Sequence, residues 1–128
     1  MKALLGVAVL GMSLLAGTAC GSPAPTCEPA STAMLDTIAK GAKADGFTVT
    51  SGVTLKSKDN LFAVAAKTKT GSGPQKVGVW STSNVSGEGA VYAVDQIAKD
   101  STSFGDAAQV DGAVKSGDAA VAAVKACL

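Results

Sequence analysis

Two alternating segments that meet at Asp59-Asn60 constrain this chain more than any other feature. From Phe47 to Lys58, Phe47, Val49, Val53 and Leu55 fall on one side, and Thr48, Thr50, Thr54, Lys56 and Lys58 on the other. A period of two is the side-chain period of a strand, so this spacing predicts a half-buried strand. Leu61–Lys69 reads as a second strand, and Asp59-Asn60 has the length and residue types of a tight hairpin loop. With Lys58 opposite Leu61, Val53 pairs with Ala66, Leu55 with Val64 and Lys56 with Ala63. The apolar sides then coincide, as a one-sided antiparallel sheet requires. A third strand over Lys76–Ser81, reached across Gly71–Pro74 with Lys69 opposite Lys76, puts Val77 and Val79 on the same inner side and turns Trp80 outward.

Helical spacing flanks these strands. Pro29–Ala44 reads as a helix, with Leu35, Ile38, Ala39 and Ala42 on one face and Gly46 as the stop. Glu88–Asp100 carries Ala90, Val91, Val94, Ile97 and Ala98 at helical intervals, and Asp118–Cys127 turns Val121, Val124 and Leu128 inward behind Asp118 as a cap. A short fourth strand is expected over Val110–Val114. The sum is an α+β fold: a small antiparallel sheet of three to four strands with helices packed on one face.

The N-terminus reads as an address. Lys2 is a brief positive start, Ala3–Ala16 is apolar, and small residues follow. The apolar run is shorter than the roughly 20 residues that span a bilayer as a helix. Leu14-Leu15-Ala16-Gly17-Thr18-Ala19-Cys20-Gly21-Ser22 resembles the bacterial lipobox, whose cysteine thiol takes a diacylglycerol and becomes the mature N-terminus. Gly17 departs from the branched aliphatic usual three places before that cysteine. An ordinary A-x-A-type signal is the alternative, which Thr18-Ala19 suits poorly. The expected organisation is a signal peptide over 1–19, a lipid-anchored linker over 20–28 containing the spacer Gly21-Ser22-Pro23-Ala24-Pro25-Thr26, and one domain over 29–128. Two or more acyl chains on Cys20 would anchor the protein stably to the outer side of the cytoplasmic membrane.

With Cys20 given to lipid, Cys27 and Cys127 remain at opposite ends of the domain. In an exported chain an even pair points to a disulfide; two buried free thiols are the alternative. No histidine or clustered cation is at hand to make Cys27 a nucleophile.

Composition excludes several chemistries. All eleven cations are lysine, against ten acids, and histidine and arginine are absent. An ordinary Ser-His-Asp triad, an imidazole metal site and bidentate guanidinium recognition are therefore out of reach. A near-zero charge balance also argues against nucleic acid as a partner. Gly87-Glu88-Gly89 lacks the Lys-Ser/Thr continuation of a phosphate loop, and no apolar stretch isolates a carboxylate pair, so no catalytic residues, metal or cofactor are assigned.

The leading candidate binding surface is Trp80 on the outer face, with Ala65, Ala63 and Thr54 around it: a large aromatic over small side chains. The competing reading is that a loop or the first helix covers Trp80, or that the register is off by one. Lys67, Lys69 and Lys76 gather at one end of the sheet and Lys56 and Lys58 at the other. They suit docking onto an anionic membrane or envelope polymer, and equally the ordinary protection of strand edges.

Val77-Gly78-Val79-Trp80-Ser81-Thr82-Ser83-Asn84, followed by Ala90-Val91-Tyr92-Ala93-Val94-Asp95-Gln96-Ile97-Ala98-Lys99, is similar to small actinobacterial (or actinobacteriophage-encoded) lipoproteins of uncharacterised function. The resemblance covers about thirty residues together with the lipobox and Cys127. It implies an actinobacterial cell or a phage that infects one, and it carries over no catalytic residue. The expectation is a non-catalytic, membrane-tethered module that engages an envelope protein or an incoming macromolecule; exclusion of superinfecting phage is its natural form if phage-encoded. The alternative is a small carrier of lipid or another hydrophobic ligand held between helices and sheet.

Overall fold

The computed structural model describes residues 26–58 and 60–128. Along the chain run β1 (Glu28–Pro29), α1 (Thr32–Lys40), β2 (Phe47–Lys58), β3 (Leu61–Thr70), β4 (Lys76–Thr82), β5 (Val91–Ala93), α2 (Gln96–Ser101), β6 (Gly105–Asp106), a 3-10 turn (Ala107–Gln109) and α3 (Ala119–Ala126). The strands form one sheet in the order β1-β2-β3-β4-β5-β6, antiparallel except for the parallel pair β5–β6 that α2 connects. The α+β class stands, in a larger and mixed sheet of six strands.

Strand β3 explains the layering. Its segment Leu61–Ala66 is apolar at every position, which is the pattern of a strand covered on both faces. Ala63, Val64, Ala65 and Ala66 accordingly each have 0 % of their surface exposed. The helices do not share one face. Helices α1 and α2 cover Val64, Ala66, Trp80, Val91 and Ala93 with Met34, Ile38 and Ala98. Helix α3 and the segment leading to it cover Ala63, Ala65 and Val79 with Val114, Val121 and Val124.

Two bulges in β2 separate the observed register from simple alternation. Lys58 does face Leu61, and Asn60 has φ +52°, as a tight hairpin demands. Ser57 is then an extra residue, so Lys56 pairs with Phe62, Leu55 with Ala63 and Val53 with Ala65. A second irregularity at Thr50 exchanges the faces of the strand. Phe47 and Val49 pack on the α1 side, Val53 and Leu55 on the α3 side. A single apolar series in the sequence thus serves two cores.

The local elements follow their end signals more than their periodicity. Helix α1 begins after Ser31, whose Oγ accepts from Met34 N at 3.1 Å, rather than at Pro29. Pro29 lies in edge strand β1. Its neighbour Ala30 directs its N–H to Gly52 O, which leaves the proline at the outward position where no ladder donor is needed. The expected helix over Glu88–Asp100 is instead strand β5 followed by α2. Asp95 interrupts it as the cap, its Oδ1 accepting from Ala98 N at 2.9 Å. Gly87, at φ +89°, sits in a turn against α1, where a Cβ would stand 2.7 Å from Ala33 O, and it opens no helix. Val110–Val114 forms no strand; the 3-10 turn ends at Val110. Helix α3 lies where expected, with Val121 and Val124 buried, but Asp118 at its N-cap position makes no side-chain cap bond; its Oδ2 accepts from Lys115 N at 2.9 Å instead.

Candidate functional site

The surface expected around Trp80 is interior. Trp80 pairs with Val64 rather than Ala65, and the indole, 0 % exposed, lies under α1 and α2. Its Nε1 donates to Thr102 Oγ1 at 3.0 Å, so its one polar atom is satisfied inside the protein. Ala63 and Ala65 are also fully buried, on the opposite face of the sheet, and Thr54 is 8 % exposed. The four residues therefore form no platform, and a partner has no access to Trp80. Trp80 is interior because α1 and α2 cover its face of the sheet; the one-residue shifts at Ser57 and at the next hairpin, where Thr68 rather than Lys69 opposes Lys76, separate it from Ala63 and Ala65.

The two cysteines are joined. Cys27 and Cys127 form a disulfide with Cα atoms 6.4 Å apart across 100 positions of sequence. Strand β1 runs antiparallel to β2, with Glu28 opposite Thr54 and Pro29 opposite Val53. Passing back from Pro29 to Thr26, the chain is therefore directed toward the Lys58 end of β2. The signal segment, Cys20 and the spacer through Pro25 lie outside the described residues.

The opposite end of the sheet carries a groove. Its volume is about 380 Å³, and Lys43, Lys69 and Lys76 line it with Phe47, Pro74 and Ile97. Thr70 and Asp100 add polar atoms to the wall. Each part arrives from a different element. Phe47 opens β2, Lys69 and Thr70 close β3, Lys76 opens β4, Pro74 lies in the hairpin between them, and Ile97 and Asp100 belong to α2. Lys43 comes from the segment after α1. A bridge between Ala42 and Thr102 and the bond from Lys43 N to Ser101 O (3.0 Å) hold that segment against α2. The Lys43 ammonium donates to Lys99 O at 2.8 Å, near the C-terminus of α2. Among the described residues, none of the three groove lysines is paired with a carboxylate; the ion pairs are Lys99–Asp106 at 3.3 Å and Lys125–Asp95 at 3.4 Å.

Of the sequence-derived basic cluster, Lys69 and Lys76 meet at this groove, while Lys67 is half-buried between Ser51 and Val77. Lys56 and Lys58 are exposed at the other end of β2. There they border a shallower depression against α3, lined by Leu55, Asp118 and Ala119. Periodicity does not find Lys43 as a groove residue, because the long-range Ala42–Thr102 bridge brings it there, whereas Phe47 arrives by its pairing with Thr70.

The remaining charged groups are mostly architectural. Lys115 turns back to donate to the carbonyls of Ala107 and Val110. The Ala108 amide, donating at 2.9 Å, holds the Asp106 carboxyl below the usual carboxylate range, with help from the Lys99 ammonium. Among the described residues no three His, Cys, Asp or Glu side chains gather as metal ligands, and no helix is long and apolar enough to cross a membrane. No protein-family model, curated protein or solved structure matches the chain.

Proposed function

We propose that the chain is a non-catalytic lipoprotein, anchored through acyl groups on Cys20 to the outer side of the cytoplasmic membrane, where it acts as a binding module of the cell envelope. The Cys27–Cys127 disulfide carries this reading. Such bonds persist in oxidising compartments, and this one sits at the junction where the spacer from the lipobox enters the domain. A tether pulling at Thr26 then acts on a point stapled to the C-terminal helix rather than on two-residue β1 alone.

The packing favours an interaction module over a lipid carrier. Met34, Ile38, Val64, Ala66, Trp80, Ala93 and Ala98 each have 0 % exposure, so no space large enough for water adjoins them between the helices and the sheet. The same holds for Ala63, Ala65, Val79, Val114 and Val124 on the α3 side. An acyl chain entering either layer would have to displace close-packed side chains.

Intact mass of the native protein, extracted from membranes in mild detergent, tests the proposal. The expected mass is that of the chain from Cys20 with its acyl groups, rising by two hydrogens on reduction. An unacylated chain would overturn the tether. Further mass from a bound lipid that survives gentle ionisation would favour the carrier.

A further inference from the structure

We infer that the groove between the β3–β4 hairpin and α2 binds an acidic polysaccharide of the cell envelope, a glycan bearing carboxylates along its length. The choice of an envelope source rests on the tethered reading above; the groove chemistry does not.

Three observations converge on this ligand class. The first is charge. Lys69 in β3, Lys76 in β4 and Lys43 in the segment after α1 line the groove with no carboxylate paired to any of them; the Lys43 ammonium donates to Lys99 O, and Asp100 accepts from Gln96 Nε2 at 2.8 Å. Lysine ammoniums are compact point charges with rotatable donors, suited to acid groups spaced along a chain rather than to one bidentate anion.

The second is the mixed lining. Phe47 and Pro74 offer apolar surface for the C–H faces of sugar rings, and the Thr70 hydroxyl and Asp100 carboxylate offer partners for their hydroxyls. A volume of about 380 Å³ is near the small end for ligand pockets, which run from about 300 to 1,000 Å³. It accommodates a short stretch of a chain.

The third is placement. The groove lies at the Phe47 end of β2, whereas the chain leading back toward Cys20 leaves at the Lys58 end. The twelve residues of β2 separate these ends by about 35 Å, at about 3.3 Å per residue. A protein tethered at one end thus presents its basic groove away from the bilayer, toward the polymer matrix. Lys56 and Lys58, at the tether end, are the lysines placed to meet lipid headgroups.

The experiment titrates the full acylated protein in neutral detergent micelles with oligogalacturonate, its methyl ester and anionic phospholipid vesicles, at low salt and with salt added. The acid glycan is expected to bind saturably and to be released by salt. The methyl ester is expected not to bind. Lys69→Glu with Lys76→Glu should weaken glycan binding about tenfold or more, and Lys56→Glu with Lys58→Glu should leave it unchanged. All four positions are exposed strand residues, so both variants are expected to fold, and circular dichroism checks this. Equal weakening by the two pairs, or equal binding of the methyl ester, would overturn the site. So would vesicle binding that depends on Lys69 and Lys76 rather than on Lys56 and Lys58. If the protein proves unacylated but the glycan result holds, the tether falls and the groove stands.

Discussion

Trp80 and Thr102 close a polar link inside the protein. The indole Nε1 donates to Thr102 Oγ1 at 3.0 Å, and that hydroxyl donates to Ala98 O at 2.7 Å. Both side chains are buried, so no solvent is available to replace a lost partner. Thr102→Val keeps the branched shape and removes the acceptor. It is expected to destabilise the fold by about 1–3 kcal/mol, the usual cost of an orphaned buried donor. Urea unfolding followed by the fluorescence of this sole tryptophan measures it. A loss below about 0.5 kcal/mol, within the range of neutral surface changes, would mean that the indole does not depend on Thr102.

The same ring explains a glycine. A Cβ on Gly78 would stand 2.6 Å from Trp80 Cη2 and 2.9 Å from Cζ3. Gly78→Ala must therefore push the indole out of its place under α2, at about 1–3 kcal/mol for an overpacked core. Gly117, with nothing within 4 Å of its Cβ position and no positive φ, is the control. Its substitution by alanine is expected to be neutral or stabilising by up to about 1 kcal/mol. Thermal unfolding of the two variants should move in opposite directions, or only Gly78→Ala should move.

How far the sequence is legible depends on which residues break a period. The β2–β3 hairpin, its Lys58–Leu61 closure and the strands on either side of Gly71–Pro74 follow from alternation and turn chemistry. The bulges at Thr50 and Ser57 do not, since neither residue carries a glycine-like signal, and each shift exchanges the faces. The exterior placement of Trp80 fails for another reason: it alternates with Val79 in either register, and α1 and α2 cover its face. The unbroken apolar run Leu61–Ala66 already marks a strand with two covered faces, which leaves no outer platform at all. Within 88–100, helical spacing of Ala90, Val91 and Val94 conceals strand β5. Those three residues fill two different cores or none, and Asp95 is the residue that divides the segment. The basic groove is half legible: Lys69 and Lys76 are neighbours across a hairpin, while Lys43 arrives through the long-range Ala42–Thr102 bridge.

Joining Cys27 to Cys127 closes nearly the whole domain into one loop, with a sequence separation of 100. Chain-entropy arguments assign about 4.7 kcal/mol to a loop of this size, and native disulfides typically contribute about 2–5 kcal/mol. The double variant Cys27→Ala, Cys127→Ala is expected to lose stability in that range. Its earliest sign should be faster hydrogen exchange at Ala30, whose amide bonds Gly52 O in the short edge pairing. Unchanged exchange there, with unchanged denaturation, would show that β1 holds without the covalent link.

Asp106 contributes to the acid limb of stability. Its folded carboxyl is held below the ordinary value by the Ala108 amide and the Lys99 ammonium. A depressed folded pKa means that its contribution is complete above the unfolded value, about 3.9, and disappears as pH falls through the lower folded value. The stability difference between the parent and Asp106→Asn should therefore be constant near neutrality and shrink below about pH 4. Chemical denaturation from pH 2 to 7 reads this directly. A difference that grows in acid would reverse the assigned sign.

Asp95 holds three elements together with one carboxylate. Its Oδ1 accepts from Val79 N in β4 at 3.1 Å and from Ala98 N in α2 at 2.9 Å, and its Oδ2 lies 3.4 Å from Lys125 Nζ on α3. The two amide bonds and the ion pair should differ in weight. Asp95 is 14 % exposed and Lys125 is 44 % exposed, so the pair is screened on the lysine side and is worth at most about 1 kcal/mol. The amides have no such access to water: Val79 is fully buried, and Ala98 N is in the first turn of a helix that needs its cap. Lys125→Ala is expected to cost under about 1 kcal/mol, and Asp95→Ala about 2–3 kcal/mol. Asp95→Asn, which keeps the Oδ1 acceptor and loses the charge, should fall close to Lys125→Ala. A double-mutant cycle between positions 95 and 125 separates the contributions. If its coupling energy accounted for most of the Asp95→Ala loss, the ion pair to α3 rather than the amide bonds to β4 and α2 would carry the carboxylate's contribution.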